Sequence, residues 1–140
     1  MDILAKKVLC TIDKFNMIKQ GQNVIAAVSG GYDSLCMLYI LNELKALRKF
    51  SICVAHINHS FRDTADDDEA YVVDIANKLG FPVYTTKVDV AQFAAENKLS
   101  FETAGREIRY DYLNKLSLRL GNSVIATAHN ANDSIESFMM

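Results

Sequence analysis

Residues 24–47 constrain this chain more than any other stretch. Val24, Ile25, Ala26, Ala27 and Val28 form a short apolar run without polar alternation, the pattern of a strand covered on both faces. Ser29-Gly30-Gly31-Tyr32-Asp33-Ser34 follows at once, and Leu35, Met37, Leu38, Leu41, Leu44 and Leu47 then recur at helical spacing. A doubly buried strand that turns on two glycines into a helix is the first half of a parallel strand–helix–strand unit.

The same order continues. An amphipathic helix over residues 3–18 precedes the run, with Leu4, Val8, Ile12 and Phe15 on one face. A second strand is expected over 52–57, and a helix opens on Asp66, Asp67, Asp68 and Glu69, where acidic side chains suit the helix dipole, and stops at Gly80. A third strand over 82–88, a short helix over 90–97, and a longer helix capped by Ser100 come next. In that longer helix Ala104, Ile108, Tyr112, Leu116 and Leu120 recur every four residues before Gly121. A last strand is expected over 123–128, and residues 134–140 begin another helix. This alternation specifies one α/β domain with a parallel sheet of about four strands and helices on both faces. Ligands of such sheets bind beyond the carboxyl ends of the strands, where the strand order reverses. Polar clusters follow strands one, two and four, all at those ends.

Composition narrows the function classes. With 140 residues the chain can bury its own core, but 15 Lys and Arg against 17 Asp and Glu leave a net charge of -2, so any contact with nucleic acid must be local. Cys10, Cys36 and Cys53 form no C-x-x-C pair, which argues against disulfides and metal clusters and assigns them to core packing. The amino-terminal residues mix both charges without a long apolar stretch, so they read as neither a signal peptide nor a membrane span, and a reducing cytoplasm is the expected location.

The segment 29–34 places two glycines and two hydroxyls at a helix amino terminus, where unpaired backbone N–H groups and the dipole attract anions. It should hold phosphate. It lacks the G-x-x-x-x-G-K pattern of the common nucleotide loop and also G-x-G-x-x-G, so γ-phosphate transfer and dinucleotide binding lose ground. Asp33 would repel a bare phosphate; it makes most sense where Mg²⁺ joins the two or where it handles a proton. A tight turn with Ser34 capping the next helix is the alternative reading. Histidines at strand ends and helix arginines are more often structural or solvated than functional, but Arg106 and Arg109 share one side of their helix.

Residues 27–34 resemble the S-G-G-x-D-S signature of the PP-loop ATP pyrophosphatases. Within that superfamily, His56-Ile57-Asn58-His59-Ser60-Phe61-Arg62 is similar to the H-x-N-H-x-x-R segment of the tRNA(Ile)-lysidine synthetase family. The stretch from Glu102 through Arg106 and Arg109 to Tyr110 resembles that family's E-x-A-x-R-x-x-R-Y helix, and 127–136 resembles its T-A-H-x-x-D-D-Q-x-E segment. Asn132 and Ser134 depart from the pattern, while Asp133 and Glu136 match it.

The resemblance implies a Rossmann-like PP-loop fold, ATP and Mg²⁺ as cofactors, and free lysine and an isoleucine tRNA with a CAU anticodon as partners. It implies adenylation of the wobble cytidine and displacement of AMP by lysine, giving lysidine. It further implies that Ala27, Ser29, Gly30, Gly31, Asp33, Ser34, His56 and Asn58 bind ATP, with Asp33 also on the metal. Asp33, Arg106 and Asp133 would be catalytic, and His59, Arg62, Glu102, Arg109, His129 and Glu136 would meet lysine or tRNA. Family members continue past this length, so the chain is expected to be an amino-terminal catalytic portion; a homodimer is left open. A tRNA thiolase, another PP-loop enzyme, or a nucleotide-binding module without turnover are the alternatives, and the cysteine spacing weighs against sulfur transfer.

Overall fold

The apolar run becomes β1 (Asn23–Ala27) in the computed structural model, which describes residues 3–60, 63–121 and 123–128. It pairs in parallel with β2 (Ser51–Asn58) on one side and β4 (Val124–Ala126) on the other, and β2 pairs in parallel with β3 (Val83–Lys87). The strand order is therefore β3-β2-β1-β4. Ile25 lies opposite both Cys53 and Ile125, which fixes the register across the middle of the sheet.

Side chains alternate between two cores, as they must on a pleated sheet. Val24, Ala26, Ile52 and Val54 face α1 (Ile3–Phe15), α2 (Tyr32–Arg48) and α3 (Ala65–Leu79), packing with Val8, Ile12, Leu38, Leu41 and Val72. Ile25, Cys53, Ala55 and Ile125 face α5 (Phe101–Arg119), packing with Leu113 and Leu116. The short α4 (Val90–Glu96) leans on α5 through Val90, Ala94 and Ala104. Each fully buried Leu, Ile or Val contributes about 1.5–3 kcal/mol, whereas an exposed pair such as Arg48–Asp13, screened by water, contributes little. The two apolar layers, not surface charge, hold the sheet between its helices.

Local chemistry ends the helices where the residues predict. Gly80 takes a left-handed φ of 79° at the end of α3, and the Ser100 side chain accepts the Thr103 N–H at the start of α5. α1 stops at Phe15, short of Ile18, because Asn16 turns left-handed at a φ of 51°. In α5 a strict four-residue spacing drifts about 40° per step on a 3.6-residue turn, so Leu113 enters the core and Tyr112 moves to its edge. Cys53 is buried and Cys36 packs partly against the core, but Cys10 is exposed on α1, contrary to the core role expected for all three. Among the described residues no helix is long and apolar enough to cross a membrane.

The connections decide where a ligand can bind. From β1 the chain steps outward through α2 to β2 and through α3 to β3, then returns through α4 and α5 to β4 on the other side of β1. Strand order reverses between β1 and β4, so the loops leaving their carboxyl ends diverge and leave a crevice.

Candidate active site

A cavity of about 660 Å³ opens at that crevice. Ala27, Val28, Ser29 and Ser34 wall it from the β1 side, Ala55, Ile57 and His59 from β2, and Thr127 and Ala128 from the end of β4. α5 closes the top with Glu102, Gly105, Arg106, Arg109 and Leu113, residues three or four apart on one helical stripe. The volume suits a nucleotide-sized ligand.

The loop from Ser29 to Ser34 is organised by two hydroxyls. Ser34 Oγ, in a side chain 3% exposed, accepts the Ser29 N–H at 3.1 Å and donates to the Gly31 carbonyl at 3.0 Å. The Ser29 hydroxyl lies 3.1 Å from it and accepts the Gly31 N–H at 3.3 Å. Gly30 holds a φ of 95°, which disfavours any other residue. Gly31 is the N-cap of α2 and no side chain caps the helix, so Ser34 serves the loop rather than acting as a cap. The first-turn amides of α2 thus remain available for an anion.

Asp33 stands in that first turn. Among the described residues no three His, Cys, Asp or Glu side chains group to hold a metal ion. A single carboxylate beside amides suited to phosphate fits a Mg²⁺ that arrives already bound to a nucleotide, since Mg²⁺ commonly takes one or two carboxylates plus phosphate oxygens.

Of the residues expected at the site, the structure gathers Ala27, Ser29, Ser34, His59, Glu102, Arg106 and Arg109 around one cavity. Gly30, Gly31 and Asp33 lie in the adjoining loop and helix turn. His56 and Asn58 take the other face of β2, because Ala55, Ile57 and His59 alternate toward the cavity. The His56 ring is 3% exposed and its Nδ1–H donates to the Val28 carbonyl at 2.7 Å, just before the Ser29–Ser34 loop; Nε2 has no partner among the described residues. Arg62, His129, Asn132, Asp133, Ser134 and Glu136 lie outside the described residues.

Further residues to which the sequence assigned no role line the cavity. Thr127 is 2% exposed, lines the wall, and its hydroxyl has no partner among the described residues; Nε of Arg109 is likewise buried without one. Buried polar atoms of this kind are costly unless something fills the space beside them. Thr127 follows Ile125 by two on β4, so its orientation was implicit in strand alternation. Phe101 and Val90 reach the cavity from the starts of α5 and α4. The Cys53 thiol, by contrast, is pushed up in pKa by burial, which keeps it protonated as a core side chain.

Comparison with known proteins agrees with this geometry. The chain is 48% identical over 134 residues to a tRNA(Ile)-lysidine synthase of Clostridium tetani, an alignment covering 95% of this chain and 29% of that protein. It is 40% identical over 139 residues to one of Dehalococcoides mccartyi, covering 99% of this chain and 30% of the relative. The chain therefore spans under a third of the length of these curated relatives. Among solved structures, the U34-tRNA thiolase of Methanococcus maripaludis, with its 4Fe-4S cluster, superposes at a TM-score of 0.75 and 22% identity, covering 91% of this chain and 44% of the thiolase. The NH3-dependent NAD synthetase of Campylobacter jejuni superposes at 0.66 and 19% identity, over 93% of this chain and 58% of the synthetase. At those identities the two structures establish the fold alone. Because residues 4–140 match its family profile and the Ser29–Ser34 loop sits at the reversal of a parallel sheet, the chain belongs to the PP-loop domain family.

Proposed function

We propose that this chain is the ATP-binding catalytic portion of a tRNA(Ile)-lysidine synthetase, joining lysine to C2 of the wobble cytidine of an isoleucine tRNA with a CAU anticodon. The observation that carries the reading is one cavity holding both the hydroxyl-and-glycine loop and the Arg106–Arg109 stripe of α5. The similarity to lysidine synthases over 95% of the chain supports it.

In this reading ATP lies with its outer phosphates on the amides and hydroxyls of Ser29, Gly30, Gly31 and Ser34. The base and ribose lie against the apolar wall of Ala27, Ala55, Ile57 and Leu113. The cytidine C2 oxygen attacks the α-phosphorus, a P–O bond forms, and pyrophosphate leaves as the bond to the β-phosphate oxygen breaks. Arg106 meets charge at the α-phosphate, since a guanidinium stays protonated and can grip two oxygens; Arg109 is its neighbour on the same stripe. Asp33 would hold a Mg²⁺ brought in with the nucleotide, and that ion would supply charge neutralisation.

The lysine side-chain amine then attacks C2, the C–O bond breaks, and AMP carries away the oxygen. The amine must first lose a proton, because a pKa near 10.4 leaves about one molecule in a few thousand neutral at pH 7. Asp133 and Glu136 are the carboxylates assigned to receive it.

The test is to mix the full-length protein containing this domain with ATP, lysine and unmodified isoleucine tRNA, and weigh the anticodon nucleoside. A lysine-bearing cytidine and stoichiometric AMP are expected. An unchanged nucleoside, or one that gains sulfur, refutes the assignment.

A further inference from the structure

Asn58 is a polar side chain 1% exposed, and alternation along β2 turns it away from the cavity that His59 lines. Both ends of its amide are occupied. Its Oδ1 accepts the Ser60 N–H at 3.0 Å, and its Nδ2 donates to Asp66 Oδ1 at 2.8 Å. Lys87 Nζ, at the end of β3, reaches the same Asp66 oxygen at 3.2 Å. The Ser60 bond closes a turn in which Ser60 holds a φ of 56°, a conformation that residues other than glycine seldom adopt unless other bonds impose it. The Asp66 bond is charge-assisted, the stronger class of hydrogen bond. Backbone bonds extend the framework: the Asn58 carbonyl accepts Val88 N–H at 2.9 Å, and the His59 carbonyl accepts Val90 N–H at 3.5 Å. The Asn58 amide thus ties the turn after β2 to the first turn of α3, and Lys87 brings the end of β3 to the same carboxylate, while His59 and Val90, which join that framework through their backbones, line the cavity.

We propose that Asn58 is a positioning residue for nucleotide binding: held by Asp66, whose carboxylate Lys87 also grips, it fixes the end of β2 and the turn after it, and so the Ala55 and Ile57 part of the wall that meets the nucleoside end of the ligand. It touches no ligand itself. The inference rests on the ATP reading above and assigns Asp66 and Lys87, which no motif singled out, to the same task.

The test is calorimetric titration of ATP, AMP and inorganic pyrophosphate into the full chain and its Asn58→Ala, Asp66→Ala, double and Asp66→Asn variants, with thermal unfolding of each. Asp66 is the safer site to perturb, since its side chain is 75% exposed and its loss opens no core. Each single alanine variant should weaken ATP and AMP about tenfold while leaving pyrophosphate within about twofold. The double variant should be no weaker than Asn58→Ala alone, because Asp66 acts on the turn only through the Asn58 amide. Asp66→Asn, whose amide oxygen still accepts Asn58 Nδ2, should recover most of the affinity. Equal losses for ATP and pyrophosphate, additive losses in the double, or no loss in Asp66→Ala would each overturn the proposal. A wild-type chain that binds no ATP would instead overturn the ATP reading, and this inference with it.

Discussion

Replacing Ser34 by alanine tests whether hydroxyls organise the Ser29–Ser34 loop. The change removes an acceptor for the Ser29 N–H, a donor to the Gly31 carbonyl and a contact with the Ser29 hydroxyl, at 3.1, 3.0 and 3.1 Å. A typical hydrogen bond contributes about 0.5–1.5 kcal/mol net, and a buried group left unpaired costs about 1–3 kcal/mol. Ser29 and Gly31 are exposed, so water can take up part of the loss, and the expected destabilisation is about 1–2 kcal/mol. For a domain of this size that lowers Tm by roughly 2–8 °C. The same loss of shape should weaken inorganic pyrophosphate by at least about tenfold, because the amides would no longer converge on one anion. Thermal unfolding and calorimetric titration of pyrophosphate read the two effects separately. If Ser34→Ala leaves both Tm and pyrophosphate affinity at the wild-type values, the hydroxyl does not shape the loop and the reasoning fails.

Other outcomes follow from the same geometry. Gly30→Ala should cost about 1–2 kcal/mol through its backbone alone, since a Cβ there would meet Asp68 and Val72 at ordinary distances of 3.6 and 3.7 Å; chemical denaturation showing no loss would contradict a φ of 95°. Thr127→Val keeps the shape and removes a buried hydroxyl without a partner among the described residues, so the ligand-free chain should gain up to about 1 kcal/mol while ATP affinity falls. A loss of stability together with unchanged ATP affinity would show that the hydroxyl faces no ligand. Asp66 is held below its ordinary value near 3.8, first by the Asn58 hydrogen bond and then by Lys87. A lowered pKa means that its contribution is present above the ordinary value and is lost only as pH falls through the lowered one. An NMR titration of the Asp66 carboxyl should therefore have its midpoint below 3.8, and a midpoint at or above that value would contradict the clamp.

Much of this could be read from the residues because the physics is local. The unalternating run at Val24–Val28 demanded a doubly covered strand, Gly80 and Ser100 marked helix ends, and Arg106 and Arg109 had to share a face. What stayed hidden depended on topology. His56 and Asn58 sit in a motif with His59, but which of them meets the cavity is decided by which face of β2 α5 covers, and that follows only once β4 returns beside β1. The same alternation places Thr127 on the wall two residues after Ile125. Val90 and Phe101 reach the site because α4 packs on α5, a long-range contact that no spacing within either helix encodes.

In the proposed function the crevice between β1 and β4 seats a nucleoside triphosphate with its outer phosphates on residues 29–34. A structure of the full chain with an ATP analogue that cannot be cleaved between the α and β phosphates tests it most directly. β- and γ-phosphate oxygens are expected on the amides of Gly30 to Ser34, with the α-phosphate facing Arg106. A triphosphate bound elsewhere, or one whose outer phosphates avoid that loop, would contradict it.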